Sequence, residues 1–210
     1  MFGIHDLSLF IISGLLLNIL PGPDSLLIMT RSATQGWRAG SMATLGIGAG
    51  VMVHVFAAAI GLSAILSTSA TAFMLVKYIG AAYIVYMAFG LLRSKARGTV
   101  AAAAVPPLPY RKIFAQGFLT NVLNPKVALF FLAFVPQFIN ADAPGKAIAF
   151  ILLGCIFNFN GMLWCHALAI FTAQASARLK VSPLAALWLN RATGSLFLWL
   201  GIKLALTKQT

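Results

Sequence analysis

The chain has 210 residues, of which 60% are hydrophobic and 9% are charged, and its formal net charge is +12. Soluble domains average about 25% charged residues, so this composition excludes a water-soluble fold and with it a cytosolic enzyme. A membrane-spanning helix needs about 20 apolar residues, which leaves room for six spans and short loops. The composition therefore predicts an all-α polytopic membrane protein.

Apolar runs separated by helix breakers predict six transmembrane helices. In chain order we place them at about 4–32, 39–66, 70–92, 113–138, 146–174 and 184–206. The long connection 93–112 has an Ala- and Pro-rich core, which is typical of a linker. These elements predict a first three-helix repeat at 1–98, a linker at 99–112 and a second three-helix repeat at 113–210.

The loop cations predict the orientation of the chain. Nine Lys and Arg residues lie on the linker side and about three on the other, which places the linker in the cytoplasm and both termini outside. This rule accounts for the cations, so the net charge does not indicate a nucleic-acid partner. Residues 1–6 contain no Lys or Arg, so we expect no cleaved signal peptide and a first helix that stays in the membrane.

Proline and glycine interrupt the first and fourth predicted spans. Residues 18–23 in the first span align with 121–126 in the fourth, an offset of 103. Three spans per half is an odd number, so the second copy must enter the membrane the opposite way round. Inverted repeats with interrupted helices are a transporter signature, and the interruptions point to the binding site.

Each break begins a new half-helix near the middle of the membrane. Pro23 follows Gly22, and Asn124 before Pro125 is a helix-start signal. Free N–H groups at such an N-terminus bind anions, for which a carboxylate is the natural ligand. We therefore predict a substrate site from the residues around both breaks: Asn18, Pro21, Gly22, Pro23, Asp24, Asn121, Asn124, Pro125 and Lys126.

Two charged residues lie beside the breaks, where charge is costly and marks functional candidates. Asp24 either complements the helix dipole, or binds a substrate ammonium, or carries a coupling proton. Lys126 opposes the dipole of its own helix and needs an anion, which either Asp24 supplies as an ion pair or a substrate carboxylate supplies during transport.

Other polar residues within the spans have both structural and functional interpretations. His54 and His166 either pack through hydrogen bonds or, with Asp24, couple transport to protons. A small-residue face with a spacing of four residues is suited to close helix contact and consists of Gly46, Gly50, His54 and Ala58. Cys155 and Cys165 lie ten residues apart on one helix, too far to bridge. No metal site and no cofactor is predicted.

Four motifs resemble the LysE/RhtB family of amino-acid exporters. They cover nearly the whole chain in order: Leu20 to Asp24, Lys77 to Tyr83, Asn121 to Lys126 with the following run to Phe138, and Gly194 to Phe197. The resemblance implies a secondary transporter, not an enzyme. It would export small neutral amino acids or derivatives, of the homoserine, homoserine lactone, threonine and leucine class, from a bacterial cytoplasm across the inner membrane by proton antiport. Its implied partners are the amino-acid substrate and the lipid bilayer, and the sequence leaves open a homo-oligomer.

Three alternatives to an amino-acid exporter are a different transporter, a membrane-embedded enzyme and a structural subunit. A metal-cation exporter of the wider superfamily needs several converging carboxylates or thiolates, whereas Asp24 is the only acid placed inside a span. A membrane-embedded enzyme needs a catalytic set, and none can be composed from three acidic residues. A purely structural subunit would leave both helix breaks unexplained.

Overall fold

The computed structural model describes residues 2–62, 70–93, 106–140 and 142–175, with isolated residues from 188 to 206. Throughout this part of the chain the regular elements are helices, and one isolated β-bridge joins Ile4 to Ile139. The chain is an all-α polytopic membrane protein, as the composition predicts.

The helices are numbered here in chain order. The first four are α1 (Leu7–Ile19), α2 (Pro23–Gln35), α3 (Trp37–Ala57), which continues as a π-helical turn (Ala58–Leu62), and α4 (Ala70–Leu92). The others are α5 (Tyr110–Val122), α6 (Pro125–Leu129), which continues as a π-helical segment (Phe130–Phe134) and a 3₁₀ turn (Val135–Phe138), and α7 (Lys146–Ala175).

Both predicted helix breaks are present. α1 and α2 meet at a bend of 53°, and α5 meets the helical segment Pro125–Phe138 at a bend of 46°. Proline is the first residue after each break, where its missing N–H is not needed. The prediction of broken first and fourth helices is confirmed.

The predicted spans agree with the described helices to within a few residues. Residues 37–61 and 146–175 are each long and apolar enough to cross a membrane, and the two bent pairs raise this number to four. α4 has the predicted bounds of the third span. The sixth span, predicted at 184–206, lies largely outside the described residues, so the division into two inverted repeats stays a prediction.

Glycines bring α3 and α5 into close contact. A Cβ atom on Gly46 would collide with the Phe114 carbonyl, and one on Gly117 would collide with the Ala43 carbonyl. A Cβ atom on Gly50 would lie 2.8 Å from Cβ of Asn121. The predicted small-residue face is therefore a helix interface, and it holds the middle of α3 against the second break.

An aromatic cluster fills the space between α1, α7 and the π-helical segment. The Phe130 ring lies 4.7 Å from that of Phe157, 5.2 Å from that of Phe134 and 5.7 Å from that of Phe131, measured between centroids. These rings are buried, so the phenylalanine run of the fourth span is core and not lipid contact. The sequence predicted a regular helix to residue 138. Pro136 has no N–H to donate to an α-helical hydrogen bond, and the helical segment ends in a 3₁₀ turn.

Backbone and side-chain hydrogen bonds close both ends of the bundle. At one end the N–H of His5 donates to the Phe138 carbonyl and that of Asn140 to the Gly3 carbonyl. At the other end Arg31 of α2 donates to the Pro106 carbonyl at 3.2 Å and to Oε1 of Gln116 at 3.0 Å. The residues around 3 and 140 therefore lie together at one end, and the end of the linker lies beside α2 at the other.

Candidate functional site

The two helix breaks meet through the side chain of Asp24. Asn121 Nδ2 donates to Asp24 Oδ2 at 2.8 Å, and Asn124 Nδ2 donates to the same oxygen at 3.0 Å. All three residues are buried. Because Asp24 follows the first break and both asparagines flank the second, these bonds join the two halves of the chain at the positions that the sequence singles out.

Lys126 makes a second connection between the breaks. Its Nζ donates to the carbonyls of Leu17 and Leu20, each at 3.1 Å. These carbonyls belong to the C-terminal end of α1, which has no next helical turn to bond them and carries partial negative charge. The break itself therefore supplies the electronegative partner that Lys126 needs.

The side chains of Asp24 and Lys126 form no direct ion pair within 4.0 Å in the described structure. Among the described residues, the one contact within 4.0 Å between a basic and an acidic side chain is the hydrogen bond of His5 to Asp6, at 3.1 Å. One oxygen of Asp24, Oδ2, accepts from two amide donors, and Lys126 Nζ donates to two carbonyls, so each charge has neutral partners. Both charges thus remain available to a ligand that carries charges of its own.

The second half-helix is capped by its own asparagine. Asn124 Oδ1 accepts from the backbone N–H of Lys126 at 3.0 Å, which is the N-cap that the Asn-Pro pair predicts. The N-cap of α2, Gly22, makes no side-chain capping bond, and the carboxylate of Asp24 lies in the first turn instead. The expected free N–H groups are thus partly satisfied at the second break, whereas no side-chain cap satisfies those at the start of α2.

A small cavity lies between the breaks and the helices α3 and α7. Its volume is about 20 Å³, which is room for about one water molecule. The lining residues are Leu17, Asn18, Asp24, Ser25, Ile47, Gly48, Val51, Asn121, Lys126, Val127, Phe157, Asn158, Gly161, Met162 and Cys165.

Several polar atoms of lining residues lack hydrogen-bond partners within the described part of the chain. They are Asp24 Oδ1, Asn121 Oδ1 and Asn18 Nδ2. A buried polar atom without a partner costs about 1–3 kcal/mol, and such atoms mark places where a ligand or an ordered water belongs. Two acceptors and one donor are therefore unsatisfied at a single cavity.

The structure divides the nine predicted site residues into three groups. Asn18, Asp24, Asn121 and Lys126 line the cavity, and Asn124 lies behind Asp24 and holds its carboxylate. The remaining four shape the backbone at the breaks and are not lining residues of the described cavity: Pro21, Gly22, Pro23 and Pro125.

The two histidines have different surroundings. His54 Nε2 donates to the carbonyl of Asn121 at 3.0 Å, and its ring stacks on that of Phe131. His54 therefore contacts the second break and the residue whose side chain holds Asp24. His166 Nδ1 donates to the Met162 carbonyl of its own helix at 2.8 Å and is not a lining residue of the described cavity.

The wall formed by α3 and α7 could not be identified from the sequence. Asn158 of α7 both joins two helices and lines the cavity, since its Nδ2 donates to the Gly48 carbonyl of α3 at 3.3 Å. Cys155 and Cys165 are free, as their spacing predicts, but Cys165 lines the cavity instead of merely packing. Gly48 and Met162 carried no sequence signal.

Metal ligands do not cluster in the described part of the chain. No group of three or more His, Cys, Asp or Glu side chains that could hold a metal ion occurs there.

Comparisons with known proteins agree with the resemblance seen in the motifs. A family model described as LysE type translocator matches residues 15–208. Uncharacterized membrane proteins of Pseudomonas aeruginosa and Bacillus subtilis are each 30% identical to this chain over 97% of its length, covering 96% and 100% of their own. A leucine efflux protein of Salmonella typhimurium is 24% identical over 97% of this chain and 96% of its own. No solved structure matches.

Proposed function

The chain belongs to the family of LysE type translocators, and from that membership we propose that it exports a small neutral α-amino acid or a close derivative. The proposed class comprises homoserine, homoserine lactone, threonine and leucine. The leucine efflux protein of Salmonella typhimurium, similar over nearly the whole chain, supports this class. The proposed location is the bacterial inner membrane and the proposed mode is proton antiport.

The observation that carries the proposal is the set of unsatisfied polar atoms between the breaks. Asp24 Oδ1 and Asn121 Oδ1 are acceptors that suit a substrate ammonium, and Asn18 Nδ2 is a donor that suits a carboxylate. Lys126 also lines the cavity, and its Nζ can exchange the carbonyls of Leu17 and Leu20 for the carboxylate. An α-amino acid presents the matching pair of charges on adjacent carbon atoms.

The proposed transport mode is alternating access to the cavity from the two sides of the membrane. A cavity of about 20 Å³ is too small for an amino acid, so the walls must separate before the substrate binds. In the proposed cycle the substrate enters from the cytoplasm. Its carboxylate then replaces the carbonyls of Leu17 and Leu20 as the hydrogen-bond acceptor of Lys126. Rocking of one half of the bundle against the other then exposes the substrate outside.

Proton coupling is assigned to Asp24 with His54 as its neighbour. A proton on Asp24 neutralises the acceptor of the ammonium, so proton and substrate compete for one group. His54 donates to the carbonyl of Asn121, whose side chain donates to Asp24, so a change in the charge of His54 acts on the same residue. His166 bonds to its own helix and has no part in this scheme.

Efflux from preloaded cells tests the function. Cells that express the chain are loaded with radiolabelled leucine, threonine or homoserine, and efflux is followed with and without an uncoupler. We expect expression to accelerate the efflux of at least one of the three and the uncoupler to remove the acceleration. The Asp24→Asn variant should not accelerate efflux. The matched change at an exposed acid, Asp142→Asn, should accelerate efflux as the wild type does.

Three outcomes would count against the proposal. Efflux of all three amino acids equal to that of cells without the protein contradicts amino-acid export. Acceleration of efflux that persists with the uncoupler contradicts proton antiport but not amino-acid export. Normal efflux by a normally inserted Asp24→Asn variant contradicts the assigned site.

A further inference from the structure

The cavity between the breaks has two faces of different chemistry. The face formed by the broken helices is mainly polar and includes Asn18, Asp24, Ser25, Asn121 and Lys126. The face formed by α3 and α7 consists of Ile47, Gly48, Val51, Phe157, Asn158, Gly161, Met162 and Cys165. Among these eight described residues there is no charged side chain and one amide.

We propose that the face formed by α3 and α7 is the subsite for the side chain of the substrate, and that Gly48 and Met162 set the size of side chain it accepts. This inference rests on the proposed function, since it assumes that the polar face holds the ammonium and carboxylate. With the charged groups held there, the side chain on the α-carbon points towards the opposite wall.

Met162 lies directly on the bare backbone of Gly48. A Cβ atom on Gly48 would lie 2.6 Å from Met162 Sδ and 3.5 Å from its Cε. The absence of a side chain at residue 48 is therefore what makes room for the thioether. Methionine has three rotatable side-chain bonds and adapts to irregular spaces, so Met162 can move aside without any movement of the helices.

The backbone at this point is held in place. Asn158 Nδ2 on α7 donates to the Gly48 carbonyl on α3 at 3.3 Å, and Gly154 on α7 is so close to Val55 on α3 that a Cβ atom would lie 2.5 Å from Cγ2. Because these contacts join α3 to α7 while the site is closed, the room for a substrate side chain in that state depends on the methionine and not on a gap between the two helices.

The composition of this wall also selects the class of side chain. A lysine or arginine side chain would bring a cation to a wall that has no carboxylate among its described residues, and burial of an unpaired charge is strongly unfavourable. An acidic side chain would meet no cation there. Aliphatic side chains lose no hydrogen bonds on this surface, so the wall favours neutral apolar amino acids.

Substrate preference in proteoliposomes tests the assignment. Purified wild-type protein, Gly48→Ala, Met162→Ala and the control Gly90→Ala are reconstituted, and efflux of radiolabelled alanine, leucine, phenylalanine and lysine is measured for each. A Cβ atom on Gly90 would meet nothing within 4 Å, so this control adds the same methyl group without a contact.

We expect Gly48→Ala to lower the ratio of leucine to alanine efflux by about tenfold, because one methyl group in an apolar pocket discriminates by that order. Met162→Ala should raise the ratio of phenylalanine to alanine efflux by about tenfold for the same reason. Gly90→Ala should leave both ratios unchanged, and lysine should not be exported by any of the four proteins.

The failure of this inference differs from the failure of the proposed function. Equal changes for all amino acids in both variants, or lysine efflux at the rate of leucine, would overturn the subsite while export itself stands. No efflux of any amino acid by wild-type protein would overturn the function. If Gly48→Ala does not fold, the ratio of phenylalanine to alanine efflux in Met162→Ala tests the subsite by itself. This variant should fold, since truncating a side chain at the cavity removes a contact and introduces no clash.

Discussion

At the scale of single residues, the two charges at the breaks are stabilised by neutral groups. Asp24 accepts from the amides of Asn121 and Asn124, and Lys126 donates to the carbonyls of Leu17 and Leu20. The amides follow the sequence motif, but the carbonyls are free only because proline ends the first helix. A rule based on sequence spacing cannot name them, which is why the sequence offered Asp24 as the partner of Lys126.

Removing Lys126 should destabilise the protein as well as impair transport. Lys126→Met leaves two carbonyls of the first break without their donor, and a hydrogen bond to a charged group contributes about 1.5–3 kcal/mol. We expect a lower thermal midpoint in detergent, which fluorescence-detected unfolding measures. Lys112→Met, at an exposed lysine of the neighbouring α5, is the control and should unfold at the wild-type temperature. Equal midpoints for Lys126→Met and wild type would show that the connection adds no stability.

At the scale of helices, the contact between α3 and α5 positions the second break. Gly46, Gly50 and Gly117 let the two backbones touch, and His54 then reaches the Asn121 carbonyl. The spacing of four residues along α3 was enough to predict a close interface. It could not show that α5 is the partner, because every span of the chain is apolar on several faces.

A methyl group in this interface should separate the two helices. In Gly46→Ala the new Cβ atom collides with the Phe114 carbonyl, which is backbone and cannot rotate away. We expect a lower thermal midpoint than wild type and weaker efflux of every amino acid. Gly90→Ala, which adds a methyl group where nothing lies within 4 Å, should behave as wild type. An unchanged midpoint for Gly46→Ala would contradict the close contact.

The predictable part of the site is the part fixed by local chemistry. Proline and the Asn-Pro pair define both breaks and the N-cap at residue 124, and the repeat pairs Asn18 with Asn121, both of which line the cavity. The wall of α3 and α7 was missed because a helix that is apolar on most faces gives no sign of which face meets a cavity. The π-helical segment after Leu129 was missed because it depends on the packing of its phenylalanine rings.

At the scale of the whole molecule, hydrogen bonds show which loops lie at the same end of the bundle. The two sets of loops are the same ones that the count of loop cations places on opposite sides of the membrane. Arg31 and the end of the linker lie together at one end, and residues 3 and 140 lie together at the other. The positive-inside rule assigns the first of these ends to the cytoplasm. The orientation relative to the membrane stays a proposal.

Cysteine labelling measures that orientation. Cys155 and Cys165 are the only cysteines, so replacing both with serine gives a cysteine-free protein. A single cysteine is then introduced at an exposed position, as Pro107→Cys or Asp142→Cys. An impermeant maleimide should label Asp142→Cys in intact cells and Pro107→Cys only after the membrane is permeabilised. The reverse pattern would place the linker outside and contradict the direction of export.

Binding of the substrate ammonium group by Asp24 can be measured in a double-mutant-type cycle of protein and ligand. Binding of leucine and of isocaproate, which is leucine without its amino group, is compared in purified wild-type protein and in Asp24→Asn. We expect loss of the amino group to weaken binding to the wild type by about tenfold or more, equivalent to about 1.4 kcal/mol, and to have little effect on the variant. An equal loss in both proteins would show no coupling between Asp24 and the ammonium and would contradict the account.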